Sequence, residues 1–177
     1  MDMERGDNLE LVRKHGPPKL AEEGQQFLFV LASPQCPVEL DWCSSFIIGL
    51  VEELLESYLI DPNRVYLTGL SVGGYGTWQM PLGYPGRFAA IVPICGGESN
   101  IDLPFMERLR SLPIWDIHDT GDDVLPHQES VWMVEKVNAT GGNAKLTTFY
   151  ENSHDSWTAA YANPELYDWM LGTTRNH

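Results

Sequence analysis

Residues 69–73 read Gly69-Leu70-Ser71-Val72-Gly73, a serine flanked two positions away on each side by glycine. The apolar run Val65-Tyr66-Leu67-Thr68 precedes them and Gly74-Tyr75-Gly76 follows. A serine hydroxyl is a weak nucleophile near neutral pH and acts only beside a base that is itself oriented by an acid. The GxSxG spacing suits a sharp strand-to-helix turn. There the serine takes strained dihedrals, and a Cβ at either flanking position would meet neighbouring backbone. Such a turn lifts the Ser71 hydroxyl above a sheet at a helix N-terminus, where the helix dipole favours developing negative charge. The backbone N–H of Val72, directly after the nucleophile, then becomes an oxyanion donor. The chemistry implied is attack on a carbonyl carbon.

In this setting the partners follow the serine in the order acid, then histidine. Four histidines lie downstream. His118 ends a strand-like run, His127 stands where a helix should open, and His177 is the last residue. His154 sits in Glu151-Asn152-Ser153-His154-Asp155-Ser156-Trp157, past the last strand-like run, where a base would reach back to Ser71. The acid is expected in the loop after residues 113–118, which offers Asp119, Asp122 and Asp123. Periodicity does not choose among the three. Asp116, inside the run, reads as a structural group.

Five segments read as the strands that position these residues. Residues 27–32 (FLFVLA), 65–69 (VYLTG) and 88–95 (FAAIVPIC) are apolar without alternation, the pattern of strands covered on both faces. Residues 113–118 (PIWDIH) and 145–150 (KLTTFY) are more polar, and the last suits a sheet edge. Helical spacing is clearest over residues 46–58, where Phe46, Ile47, Leu50, Val51, Leu54, Leu55 and Tyr58 share one face and Glu52, Glu53 and Glu56 the other. The turn Asp61-Pro62-Asn63 should mark the end of this helix, because Pro62 cannot donate to it and biases Asp61 away from helical dihedrals. Further helices are expected from His127 to the Gly141-Gly142 pair, from Pro164 to Gly172, and briefly over 105–109. Alternating strands and helices specify a mostly parallel sheet with helices on both faces, and such sheets bind ligands at the carboxyl ends of their strands.

The chain has 177 residues, the usual size of one domain, with 43% apolar residues and 6 Trp, 7 Tyr and 6 Phe, enough to build a core. Eleven basic against 25 acidic residues give a net charge of -14, which repels phosphate backbones and anionic head groups and argues against nucleic-acid and membrane partners. Cys36, Cys43 and Cys95 have no metal-site spacing and read as packing residues or free thiols. No apolar stretch approaches the roughly 20 residues of a membrane span. The N-terminus shows no secretory pattern.

Several motifs together resemble the phospholipase/carboxylesterase and polyhydroxybutyrate-depolymerase-like esterases of the α/β-hydrolase fold, which are similar to dienelactone hydrolases. They are Glu4-Arg5-Gly6-Asp7-Asn8, His15-Gly16-Pro17-Pro18, Pro34-Gln35-Cys36-Pro37, Asp61-Pro62-Asn63-Arg64, the segment 69–74, Pro93-Ile94-Cys95-Gly96-Gly97 and Ser153-His154-Asp155-Ser156-Trp157. The resemblance spans nearly the whole chain as one domain, 1–177. It implies a carboxylic ester hydrolase acting on short-chain acyl esters, plant-wall acetyl or feruloyl esters among them, with no metal or organic cofactor. Ser71, His154 and Asp122 would form the triad. The family's His-Gly-x-x-Asp-x-x-Val-Pro pattern falls on Asp122, although Asp119 replaces its glycine and leaves Asp119 and Asp123 open as alternatives. Gln35 and Trp157 are the expected substrate contacts, and Trp78 could shape the pocket or the core.

The chain departs from the family at its start. The oxyanion loop His-Gly-x-Gly-Glu would end at Glu4, which puts Met1-Asp2-Met3 where Gly-x-Gly should be and makes Met3 or Asp2 the second oxyanion donor. The preceding strand, central in the family's sheet, has no counterpart. Either its neighbours, 27–32 and 65–69, pair directly, or the slot is filled by another chain, including a second copy, or by a missing N-terminal segment. A weak esterase is expected, since one lost oxyanion donor costs on the order of 10² to 10³ in rate. Rival readings are a non-catalytic interaction module, or an acyltransferase or serine peptidase using the same triad. A cytoplasmic location is the default for the chain as it stands, with secretion left open.

Overall fold

The computed structural model describes residues 6, 8–37, 42–98, 101 and 103–175. They fall into two compact units, Met1–Ile60 and Asp61–His177.

The first unit is helical. A 3-10 helix, Leu9–Lys14, is capped by Asn8, whose Oδ1 accepts from Glu10 N–H at 3.2 Å, and leads into α1 (Gly16–Glu22) with proline in its first turn. α2 (Ser44–Ser57) is the helix expected from the 46–58 spacing. Ile47 and Ile48 are buried on it, whereas Glu52, Glu53 and Glu56 are exposed. Residues 27–32 do not form the expected strand. They run irregularly, with Leu28 89% and Val30 59% exposed. An apolar run becomes a strand only where its N–H and C=O groups find a ladder, and no described strand pairs with this one.

Among the described residues the second unit carries the other four expected strands, with their helices: β1 (Tyr66–Leu70), α3 (Val72–Gly83), β2 (Ala90–Ile94), α4 (Leu103–Met106), β3 (Ile114–Asp119), α5 (Gln128–Ala139), β4 (Ala144–Phe149), α6 (Trp157–Ala162) and α7 (Pro164–Leu171). The strands pair in chain order, β1-β2-β3-β4, and every pair is parallel. β2 and β3 are buried along their whole length, as their central places require. β4 is the edge that its lysine and threonines suggest, and Lys145 Nζ lies 3.2 Å from the centre of the Trp115 ring.

Alternation along β3 sorts the two faces. His118 meets Ser130 of α5 on one face, while Trp115 packs edge-on to Trp169 of α7 on the other, ring centres 5.4 Å apart. Thr68 of β1 meets the Tyr161 hydroxyl of α6 at 2.8 Å. Helices therefore cover both faces. Because all four strands run the same way, the segments after β1, β2, β3 and β4 open at one end of the sheet, and Ser71, Cys95, Asp122 and His154 lie in those four segments. Among the described residues no helix is long and apolar enough to cross a membrane.

Candidate active site

Ser71 occupies the turn between β1 and α3 with φ 52° and ψ -116°, a left-handed conformation that side chains rarely adopt. Its N–H donates to Ile94 O at 3.0 Å, and its carbonyl accepts from Tyr75 N–H at 3.1 Å. The turn is thereby tied to β2 on one side and to the first helical turn on the other. A Cβ on Gly69 would strike the Gly73 carbonyl, as the spacing implies. Gly73 itself faces open space, contrary to the expectation that both flanking glycines relieve crowding. The second close approach falls one residue later. A Cβ on Gly74 would lie 2.6 Å from Ile94 O and 3.1 Å from Gly96 Cα, so α3 meets the end of β2 backbone to backbone. Val72 begins α3, and the N–H groups of a helix's first turn lack intrahelical acceptors.

His154 stands between Ser71 and Asp122. Its Nε2 is 3.0 Å from Ser71 Oγ and its Nδ1 is 2.6 Å from Asp122 Oδ2. Asp122 can only accept when ionised, so Nδ1 carries the proton and Nε2 accepts from the serine hydroxyl. The Asp122 carboxylate is wholly buried. Burial alone would raise its pKa, but hydrogen bonds from Leu125 N–H, His154 and Val124 N–H outweigh burial and hold it below the usual carboxylate range. Both backbone donors reach Oδ1 at 2.9 Å. Trp157 packs edge-on against the His154 ring, centres 5.2 Å apart.

The other two candidate acids do different things. Asp119 turns its carboxylate to backbone: Gly121 N–H at 2.7 Å and Asn152 N–H at 3.1 Å reach Oδ1, and Glu151 N–H at 2.5 Å reaches Oδ2. Burial pushes its pKa up, yet these backbone hydrogen bonds hold it low. Asp119 thus ties the loop bearing Asp122 to the loop bearing His154. Asp123 is exposed. His127 stands at the head of α5, where its side chain makes no capping bond; it meets Thr148 Oγ1 at 3.1 Å and its ring centre is 5.5 Å from that of His118.

Around the acid lie further groups to which the sequence reading gave no role in the triad. His118, fully buried, approaches Asp122 Oδ2 at 3.2 Å, and Asp116 lies two residues earlier on the same strand face. Burial pushes the Asp116 carboxyl up to about 8; Ser130, the Ile117 N–H and Trp78 offset this only in part, and neither carboxyl oxygen has a well-formed hydrogen bond. Cys95, with φ 40° at the end of β2, places Sγ within 4.8 Å of ligand atoms of Asp122 and His154. Burial pushes its thiol up, which disfavours the thiolate that a metal would need. Tyr75, in the first turn of α3, has its phenol pushed up by burial and then by the carboxylates of Glu129 and Glu98.

Of the expected substrate contacts, Trp157 is 9% exposed against the imidazole, and Gln35 belongs to the first unit, where it is partly buried. Trp78 is fully buried in the core of the second unit. Met3 and Asp2, the expected second oxyanion donors, lie outside the described residues, as do Glu4, Arg5 and His177.

No protein-family model matches the chain. A crystal structure of a thermostable esterase superposes on 97% of it with a TM-score of 0.80 and 31% identity. The bifunctional acetylxylan esterase/xylanase XynS20E of Neocallimastix patriciarum is 31% identical over 86 residues, 49% of this chain. Poly(3-hydroxyalkanoate) depolymerase C of Paucimonas lemoignei is 46% identical over 48 residues, 27% of this chain. The chain spans 52% of the thermostable esterase, and the matched stretches make up 12% of each of the other two proteins.

Proposed function

By fold the chain is an α/β-hydrolase, and from that premise we propose that it hydrolyses carboxylic esters through an acyl-enzyme on Ser71. One observation carries the reading: a continuous hydrogen-bond chain from Ser71 through His154 to a buried, ionised Asp122. In this mechanism Ser71 Oγ attacks the ester carbonyl as its proton passes to His154 Nε2. Asp122 holds Nδ1–H, fixes the tautomer and stabilises the imidazolium that forms. The Val72 N–H receives the oxyanion. His154 then returns the proton to the leaving alcohol, and water attacks the acyl-enzyme with the roles repeated.

The proposed substrates are short-chain acyl esters, with Gln35 and Trp157 as contacts. The names of the two sequence relatives suggest acetylated xylan and poly(3-hydroxyalkanoate) as polymers to try. Glu98, Glu129 and the net charge of -14 disfavour anionic substrates. Met3 is the proposed second oxyanion donor. Should that donor be lacking, the rate would fall by on the order of 10² to 10³. For partners, the proposal is the ester itself, together with a strand from a second copy or another chain beside β1, whose second edge carries no paired strand among the described residues.

The test is hydrolysis of a p-nitrophenyl ester series from acetate to octanoate beside Ser71→Ala. Faster turnover by the wild type, greatest with short acyl groups, is expected. Equal rates would overturn the reading.

A further inference from the structure

We propose that His118 is a positioning residue, one that donates Nε2–H to Asp122 Oδ2 and so sets both the orientation of the carboxylate and the strength of its hold on His154. This rests on the catalytic reading above. The geometry fixes the tautomer of His118. Its Nε2 faces two groups that can only accept, Asp122 Oδ2 at 3.2 Å and Leu125 O at 3.1 Å, so it carries a proton. Its Nδ1 lies 2.8 Å from Ser130 Oγ, whose hydroxyl donates to Gly96 O at 3.2 Å. Burial lowers the imidazole's pKa, while Asp122 and Leu125 O oppose that shift from the Nε2 side.

The acceptor inventory of Asp122 makes His118 more than a space-filler. Oδ1 takes two backbone N–H groups and Oδ2 takes two imidazoles, so all four lone-pair directions of a carboxylate with no solvent access are used. The two histidines share one oxygen. His154 holds it at 2.6 Å, and the weaker His118 contact draws off part of its charge. Without that donor, Oδ2 would bind the His154 imidazolium more strongly and lose its lateral restraint. The ionisable groups facing these histidines are Asp122 itself, Asp116 on β3, His127 at the head of α5, whose ring centre is 5.5 Å from that of His118, and Cys95 at the end of β2.

The experiment compares His118→Met, which fills the space without donating, with His118→Gln, whose amide can reach the same oxygen. The His154 imidazole is titrated by NMR in each, alongside the pH profile of kcat/KM for p-nitrophenyl acetate. His118→Met should raise the His154 midpoint by about one pH unit, move the acid limb of the profile with it, and lower kcat by about tenfold to a hundredfold, the range for losing a hydrogen bond to a charged group. His118→Gln should restore the midpoint and most of kcat. A midpoint unchanged in His118→Met would overturn the proposal, because a purely packing role does not alter the charge on Oδ2. If His118→Met fails to fold, Ser130→Ala decides: it frees His118 to turn and should raise the midpoint by a smaller amount, and no change again overturns the proposal. The titration needs no turnover. A chain that hydrolyses no ester would defeat the catalytic reading alone, while the midpoints would still judge His118.

Discussion

Replacing Asp122 with asparagine tests the acid without changing its shape. The Val124 and Leu125 N–H groups, each 2.9 Å from Oδ1, will hold the asparagine carbonyl oxygen in that place. Its NH2 must then occupy the Oδ2 position, 2.6 Å from His154 Nδ1 and 3.2 Å from His118 Nε2, both donors in the native site. Donor facing donor is untenable at 2.6 Å, so His154 moves its proton to Nε2. That hydrogen now points at Ser71 Oγ, 3.0 Å away, and the ring no longer accepts the serine proton. Inversion of a catalytic tautomer lowers kcat by about 10⁴, equivalent to about 5 kcal/mol of barrier. Folding should suffer less, by about 1 to 2 kcal/mol, because His118 keeps Leu125 O as an acceptor. The assay is kcat for p-nitrophenyl acetate with a thermal melt of the same samples, beside Asp123→Asn. A fall of less than tenfold in Asp122→Asn, or an equal fall in Asp123→Asn, would refute the assignment.

Asp116 makes stability depend on pH. Its native pKa of about 8 lies above the roughly 3.9 of an unfolded aspartate, so between those values the native chain keeps a proton that the unfolded chain releases. Stability then falls as pH rises, by about 1.4 kcal/mol per unit at most, and levels off above pH 8. In Asp116→Asn that slope should vanish; urea unfolding at pH 5 and pH 8 measures it, and parallel curves for both proteins would count against a protonated Asp116. Gly74→Ala should destabilise by about 3 kcal/mol through its clash with Ile94 O and Gly96, whereas Gly73→Ala, facing open space in a helix, should be neutral or stabilise by up to about 1 kcal/mol. Denaturant midpoints of the two variants make the comparison, and equal midpoints would contradict the placement of the crowding. Asp119→Ala removes the acceptor for three loop N–H groups and should cost about 3 kcal/mol and lower kcat, because the His154 loop loses its tie to the Asp122 loop. Unchanged melting and turnover would show that the loops hold each other without it.

What could be read from the residues alone follows how local each cause is. The turn at Ser71 was legible because its glycine spacing answers a clash within five residues, although the crowding after the serine falls on Gly74. β2, β3, β4 and α2 follow from apolar runs and helical spacing. Residues 27–32 misled because their apolar character is local while a strand's partner is not. Asp122 could be separated from Asp119 and Asp123 only through a family pattern, since the difference lies in where each carboxylate points after the loop has folded. His118 is the first residue of that same family pattern and stands near a strand end, but neither fact says what its ring touches. Its contact with Asp122 depends on the loop of residues 119–126 curling back so that Leu125 O and Asp122 Oδ2 both face one ring nitrogen.

The most direct measurement of the central claim is the intact mass of the protein after exposure to a fluorophosphonate, with peptide mapping of the adduct. A nucleophilic Ser71 activated by His154 predicts a single phosphonyl adduct on the peptide containing Ser71, absent in Ser71→Ala and strongly slowed in His154→Ala. Labelling elsewhere, or labelling of Ser71 that proceeds equally fast without His154, would contradict it.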